Sequence, residues 1–122
     1  MASLGDFINA CNDERKNVSQ EAFRKIDLSN YSAEDLIIKP NVSSLLSIQF
    51  KANGGSGFSV LGKNANAEDY ILLAGIDMGS MDTITNITKD GIYNFDISGV
   101  DIIEISLEGT NNVSTIYVKT ID

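Results

Sequence analysis

The sequence predicts a mainly β protein, an antiparallel sandwich of jelly-roll type with about seven or eight strands and a short helical segment in front of it. Beyond Leu36, short runs rich in β-branched and aromatic residues recur about every ten positions. Gly, Asn, Asp and Ser separate them, residues that suit turns. No helical periodicity intervenes, so parallel strands joined by crossover helices are excluded and antiparallel pairing follows.

The chain is expected to divide into a helical segment, residues 1–30, and a sandwich, residues 31–122. In the first, Leu4, Phe7, Ile8 and Cys11 follow the i, i+3, i+4, i+7 spacing of one helical face. Ser3 stands as the cap, and Asp6 favours the positive end of the helix dipole. A second stretch, residues 19–26, would place Ala22, Phe23 and Ile26 on one face. Such a segment could pack back on the domain or dock on a partner or another copy. Leu4, Phe7, Ile8 and Cys11 are therefore candidate partner-binding residues.

The polar stretch DLSNYSAED connects to the strands. LIIK (36–39) stops at Pro40, the only proline. SLLSIQFKA (44–52), GFSVLG (57–62), DYILLAGI (69–76), DTITNIT (82–88), IYNFDI (92–97), DIIEISL (101–107) and VSTIYVKTI (113–121) complete the series. Alternation sets Tyr93, Phe95 and Ile97 against Asn94 and Asp96, and Ile103, Ile105 and Leu107 against Glu104 and Ser106. The six apolar members are the first choices for the core, joined by Ile84, Ile116 and Val118.

Composition narrows the chemistry. With 122 residues, 43% of them hydrophobic and 21% charged, the chain can close one core. It has no histidine and one cysteine, which removes Ser-His and Cys-His catalysis, imidazole metal sites and any intramolecular disulfide. A non-enzymatic protein without cofactor or metal is expected. Acids and bases balance up to Ile26, so the whole net charge of −8 lies beyond it, where the lysines are scattered singly. Nucleic acid and anionic lipid are poor partners for such a surface. The start lacks a basic end followed by a long apolar run, which leads us to expect no secretion and no membrane span.

Three constellations hold residue types that could carry chemistry. Gly57, Gly62 and Lys63 have the spacing of a phosphate-binding loop, but Asn64 replaces the Mg²⁺-binding hydroxyl and the interior alternates like a strand. Asp77 and Asp82 bracket Gly79 and Ser80 without the spacing of a calcium loop, so a turn is expected. Asp96, Asp101 and Glu104 surround Ser98 and Gly99. The expected arrangement is a β-hairpin turning there, with solvated acids on its outer side.

The stretch ITKDGIYNFDISGVDIIEISLEGTNNVSTIYVK, residues 87–119, resembles small β-sandwich domains in virion proteins of tailed bacteriophages and prophages. In those proteins a Gly-Ile-Tyr turn leads to a strand, a Ser/Thr-Gly turn, an isoleucine-rich strand and a closing valine-rich strand. The resemblance implies a structural or accessory virion protein, displayed on a head, fibre, tail or baseplate and attached or oligomerised by a separate terminal segment. Its partners would be other virion proteins or copies of itself, and it transfers no catalytic residues. A carbohydrate-binding or receptor-binding adhesion domain is the alternative, with Tyr31 or Tyr117 against host surface glycans, although tryptophan, the best sugar platform, is absent.

Overall fold

The computed structural model describes residues 23–109 and 113–122. Eleven short strands make two antiparallel sheets: β1 (Phe23–Asp27), β2 (Ile37–Ile38), β3 (Leu45–Lys51), β4 (Phe58–Lys63), β5 (Ile71–Leu72), β6 (Gly75–Asp77), β7 (Thr83–Ile84), β8 (Asn86–Ile87), β9 (Gly91–Asp96), β10 (Ile102–Leu107) and β11 (Thr115–Ile121). The first sheet has the order β1-β11-β3-β9-β6-β7; the second runs β2-β10-β4-β5, with β8 pairing the remaining length of β4. The sandwich predicted from spacing and alternation is the fold observed.

Each sheet turns its apolar parity inward. Ile26, Ile116 and Phe50 lie in register across the first sheet, as do Val118, Ile48 and Tyr93, then Leu46 and Phe95, and all are buried. Ile38, Ile103, Val60, Ile105, Phe58 and Ile87 face them from the second. Phe50 and Phe58 meet with ring centroids 5.0 Å apart at 71°, the edge-to-face packing that aromatic quadrupoles favour. Of the nine expected core residues, Tyr93, Phe95, Ile97, Ile103, Ile105, Ile116 and Val118 are buried, while Ile84 and Leu107 are partly buried against the cluster.

Three expectations require correction. Residues 23–26, read as the end of a helical stretch, belong to strand β1, whose whole length pairs with β11. Ile26 and Leu28 are buried while Lys25 and Asp27, which alternate with them, are exposed, so the period here is two. The boundary drawn at residue 30 accordingly cuts into the sandwich. The remainder of the expected helical segment, including Leu4, Phe7, Ile8 and Cys11, lies outside the described residues.

Secondly, two runs read as single strands are each divided between the sheets. The run 69–76 supplies β5 to one sheet and β6 to the other, and 82–88 supplies β7 and β8 likewise. The chain thus changes sheet inside each run, and these two divisions together with β1 raise the strand number among the described residues from the expected seven or eight to eleven. Gly75 allows the first crossing to lie close to the core, since a Cβ there would stand 2.7 Å from the Phe95 ring.

Thirdly, Ser98-Gly99 does not join a hairpin. β9 and β10 belong to opposite sheets, and the turn is an arch between them. Val100 N–H donates to Ile97 O at 3.0 Å and Gly99 has φ +81°, the positive third position of a type II turn. Tight hairpins favour the mirror-image turns, whose twist matches that of paired strands. Both flanks find other neighbours instead, because Ile97 N–H donates to Ser44 O and Asp101 N–H to Lys63 O.

Candidate functional site

The three sequence-read constellations are explained by local structure. Residues Phe58–Lys63 of the phosphate-loop pattern form strand β4, paired on both edges. A Cβ on Gly57 would overlap the Ile87 carbonyl, and one on Gly62 would press on Leu73 and Val100 at 2.9 Å. These glycines serve close packing, and Lys63 Nζ lies 4.9 Å from the centroid of the Tyr70 ring.

In the acidic loop, Asp77 Oδ1 accepts from Gly79 N–H at 2.9 Å. Met81 N–H donates to Asp77 O at 2.6 Å, and Asp77 N–H donates to Asp82 O at 2.9 Å. Met81 takes φ +65° to close the turn. Among the described residues no group of three or more Asp, Glu or Cys is placed to hold a metal ion.

Asp96, Asp101 and Glu104 do not converge. Asp96 ends β9 on the outer parity of the first sheet, whereas Glu104 is on the outer parity of the second. Asp96 Oδ1 accepts from Ser98 N–H at 3.0 Å, and Asp101 Oδ2 accepts from Ala65 N–H at 2.8 Å. The hydrogen bonds from the Ser98 backbone and hydroxyl hold the Asp96 carboxyl below its ordinary pKa. Asp96 thus pins its own turn, and Asp101 pins the turn that follows β4.

A different feature appears on the outside of the first sheet. The antiparallel register aligns Lys25, Tyr117, Gln49 and Ile92 in one row across β1, β11, β3 and β9, and Lys119, Ser47 and Asn94 in the next. Together with Arg24 and Val118 these residues, apart from Asn94, line a groove of about 370 Å³. Tyr117 is 40% exposed and Ile92 45%, two large apolar groups on a parity that in the middle of a sheet usually meets water. Lys25 Nζ lies 5.9 Å from the centroid of the Tyr117 ring. Arg24 reaches past the sheet edge, donating from Nη2 to Ile37 O at 3.0 Å, and so ties β1 to the second sheet.

The lining therefore presents Lys25 and Lys119 and no acid, the Arg24 guanidinium being turned to Ile37 O, on a chain whose net charge is −8. Such a surface can receive apolar side chains on its floor and negative charge at its rim. Tyr31 lies elsewhere, exposed on the connection that follows β1. Sequence reasoning had singled out Tyr117 but not Gln49, Ile92 or Lys25. The readable signal was an apolar residue on the wet parity, Ile92 beside Tyr93 and Tyr117 between Ile116 and Val118.

Fold and groove together describe a small antiparallel β-sandwich with a lined face on one sheet. Two solved structures have this fold. The SPBc2 prophage-derived protein YomS superposes with a TM-score of 0.58 at 13% identity, over 80% of this chain and 92% of that one. The PBSX exported protein XepA superposes with a TM-score of 0.61 at 16% identity, over 81% of this chain and 38% of that one. The likeness is one of fold, to nearly all of the first protein and to a minor part of the second. No protein-family model and no curated protein matches the sequence.

Proposed function

We propose that this chain is a non-enzymatic structural or accessory component of a tailed-phage or prophage particle, such as a head decoration, head fibre, tail or baseplate part. It displays the sandwich and attaches through the residues before Phe23. The observation that carries this reading is the fold, held in common with two prophage proteins. The sequence pattern of residues 87–119 supports it independently, and its arch, strands and inward residues are those of the sandwich. Attachment falls to Leu4, Phe7, Ile8 and Cys11, with other virion proteins or further copies as partners. The protein would then reside in the virion. Among the described residues no helix is long and apolar enough to cross a membrane.

The test is to purify particles from an induced lysogen that carries a tagged copy and to locate the tag by mass spectrometry and immunogold labelling. Stoichiometric presence in the particle supports the reading, and its loss on Leu4→Asp with Phe7→Asp assigns the attachment. Absence from particles would overturn it.

A second reading, adhesion to a host surface glycan, is favoured by one observation, the groove with Tyr117, Gln49 and Ser47 along its floor. Titration against a panel of wall polysaccharides, with Tyr117→Ala as control, decides it.

A further inference from the structure

Three connections meet at one end of the sandwich, where Ala52 and Asn53 tie them together. Residues 52–57 arch from β3 in the first sheet to β4 in the second. Ala52 is held from two sides, its N–H donating to Asp90 Oδ1 at 2.7 Å and its carbonyl accepting from the buried Ser114 hydroxyl at 2.7 Å. Asn53 makes the outer tie, donating from Nδ2 to Val113 O at 3.1 Å. We propose that Asn53 is a site of spontaneous deamidation, at which the Gly54 backbone nitrogen displaces ammonia from the Asn53 carboxamide, and that this conversion releases the tie to Val113.

Asn53 is the only asparagine of the chain that precedes a glycine. Both residues take positive φ, +50° and +85°, and Gly55 N–H closes the turn on Ala52 O at 2.7 Å, the type I′ geometry that Asn-Gly favours. The residue after the asparagine governs the reaction, because its nitrogen is the nucleophile and a side chain there screens it. Gly54 has none, it is exposed, and even an added Cβ would meet nothing within 4 Å. Its N–H has no hydrogen bond to give up among the described residues.

Water is the only co-reactant. A water or hydroxide takes the Gly54 amide proton, the nitrogen bonds to Asn53 Cγ, and the Cγ–Nδ2 bond breaks as ammonia leaves with a proton returned by solvent. Water then opens the succinimide at either carbonyl. Cleavage at Cγ gives aspartate, and cleavage at the backbone carbonyl gives isoaspartate, whose chain runs through Cβ and Cγ. Ring closure is intramolecular and needs rotations within one residue, so its entropic cost is small. In the turn as it stands Nδ2 is engaged with Val113 O, and the reactive conformers are those in which that one exposed bond has opened.

Either product undoes the outer tie. A carboxylate at position 53 has no proton to donate to Val113 O and is repelled by that carbonyl's negative end. It also brings a second negative charge next to Ala52, whose N–H already holds the Asp90 carboxylate. Isoaspartate lengthens the backbone of a turn built for two central residues. The buried Ser114 hydroxyl keeps its bond to Ala52 O, so the arch loosens at its exposed end while the sandwich persists.

The test ages the full chain at neutral pH in two preparations, unlabelled for peptide mapping and ¹⁵N-labelled for amide spectra. The peptide that holds Asn53 should gain one mass unit several-fold faster than the peptide that holds Asn64 and Asn66, which are exposed but precede alanine. New amide signals should grow in for Ala52, Asp90 and Val113, one set for each product, while those of Leu72 and Glu104 stay in place. A chain made with Asn53→Asp should show one of these sets from the start, and Gly54→Ala should slow the mass gain. Modification of Asn53 no faster than that of Asn64 and Asn66, or undiminished in Gly54→Ala, overturns the site. A Val113 signal unchanged both in the aged chain and in Asn53→Asp overturns the release of the tie. Neither result bears on the particle reading, which depends on co-purification.

Discussion

Tyr93 donates from its hydroxyl to Lys89 O at 2.6 Å and is 1% exposed. Burial, and then the negative charges of Asp77 and Asp90, push its pKa above the ordinary 10.0. A phenol whose pKa is raised on folding contributes stability that is complete below its unfolded value and lost as pH rises through the folded one. Resistance to urea should therefore fall as pH rises above 10.0. Tyr93→Phe should lower stability by about 1 kcal/mol at neutral pH, through the lost hydrogen bond, and flatten this alkaline decline. Equal alkaline slopes for the two proteins would contradict it. The opposite limb belongs to Asp27 and Asp96, whose carboxyl pKa values are lowered by hydrogen bonds from Ser29 and Ser98. Their contribution is present above the ordinary carboxylate pKa and disappears as pH falls below it. Gly75 offers a steric test, since an added Cβ would stand 2.7 to 2.8 Å from three carbons of the buried Phe95 ring. Gly75→Ala should cost about 1–3 kcal/mol by overpacking, and Phe95→Leu in the same chain should recover part of that loss in a double-mutant cycle.

At the level of elements, β1 changes what can safely be removed. Its five residues pair with the full run Thr115–Lys119 of β11, and Ile26 and Leu28 enter the core. Deleting residues 1–22 should leave a sandwich that unfolds cooperatively in urea. Deleting 1–28 should destabilise it by several kcal/mol, because two buried side chains are lost at about 2–4 kcal/mol each. Circular dichroism and urea midpoints of the two truncations check this, and equal midpoints would return β1 to the status of an appendage. The sequence misled here because Phe23 and Ile26 fit a helical spacing as well as Ile26 and Leu28 fit a strand, and five residues cannot decide between periods. The inward faces of β9, β10 and β11 were legible, since alternation is a local property that burial enforces. Which sheet each strand joins was not. Ser98-Gly99 joins the two faces of the core rather than two neighbours in one sheet, and the same alternation serves either case. The groove was hidden for a related reason. Lys25, Tyr117, Gln49 and Ile92 become neighbours only through the register of four strands far apart in sequence.

For the whole molecule, the decisive fact is that the first described strand pairs with the last. Lys25 stands beside Tyr117, and β11 in turn separates β1 from β3. The first sheet therefore cannot be completed until almost the whole chain has been drawn together, and the entropy of closing that loop precedes the reward of pairing. Folding in the range of milliseconds to seconds is expected for such non-local pairing. The antiparallel register also places the start of β1 near the end of β11, with Phe23 beside Lys119 and Asp122 three positions further on. A short Gly-Ser linker from residue 122 to residue 23 would convert this most distant pairing into a hairpin. New ends fit best at Asn53-Gly54, an exposed turn outside the strands, where a Cβ on Gly54 would meet nothing within 4 Å. Relative to the linear chain of residues 23–122, this permutant should keep the same circular dichroism spectrum. It should refold faster, because the β1–β11 pairing becomes local while the connection from β3 to β4 is opened. Stopped-flow refolding followed by tyrosine fluorescence measures the ratio. If the permutant refolds more slowly at equal stability, the rate-limiting closure lies between β3 and β4, and the pairing of the chain's two ends forms only after the barrier has been crossed.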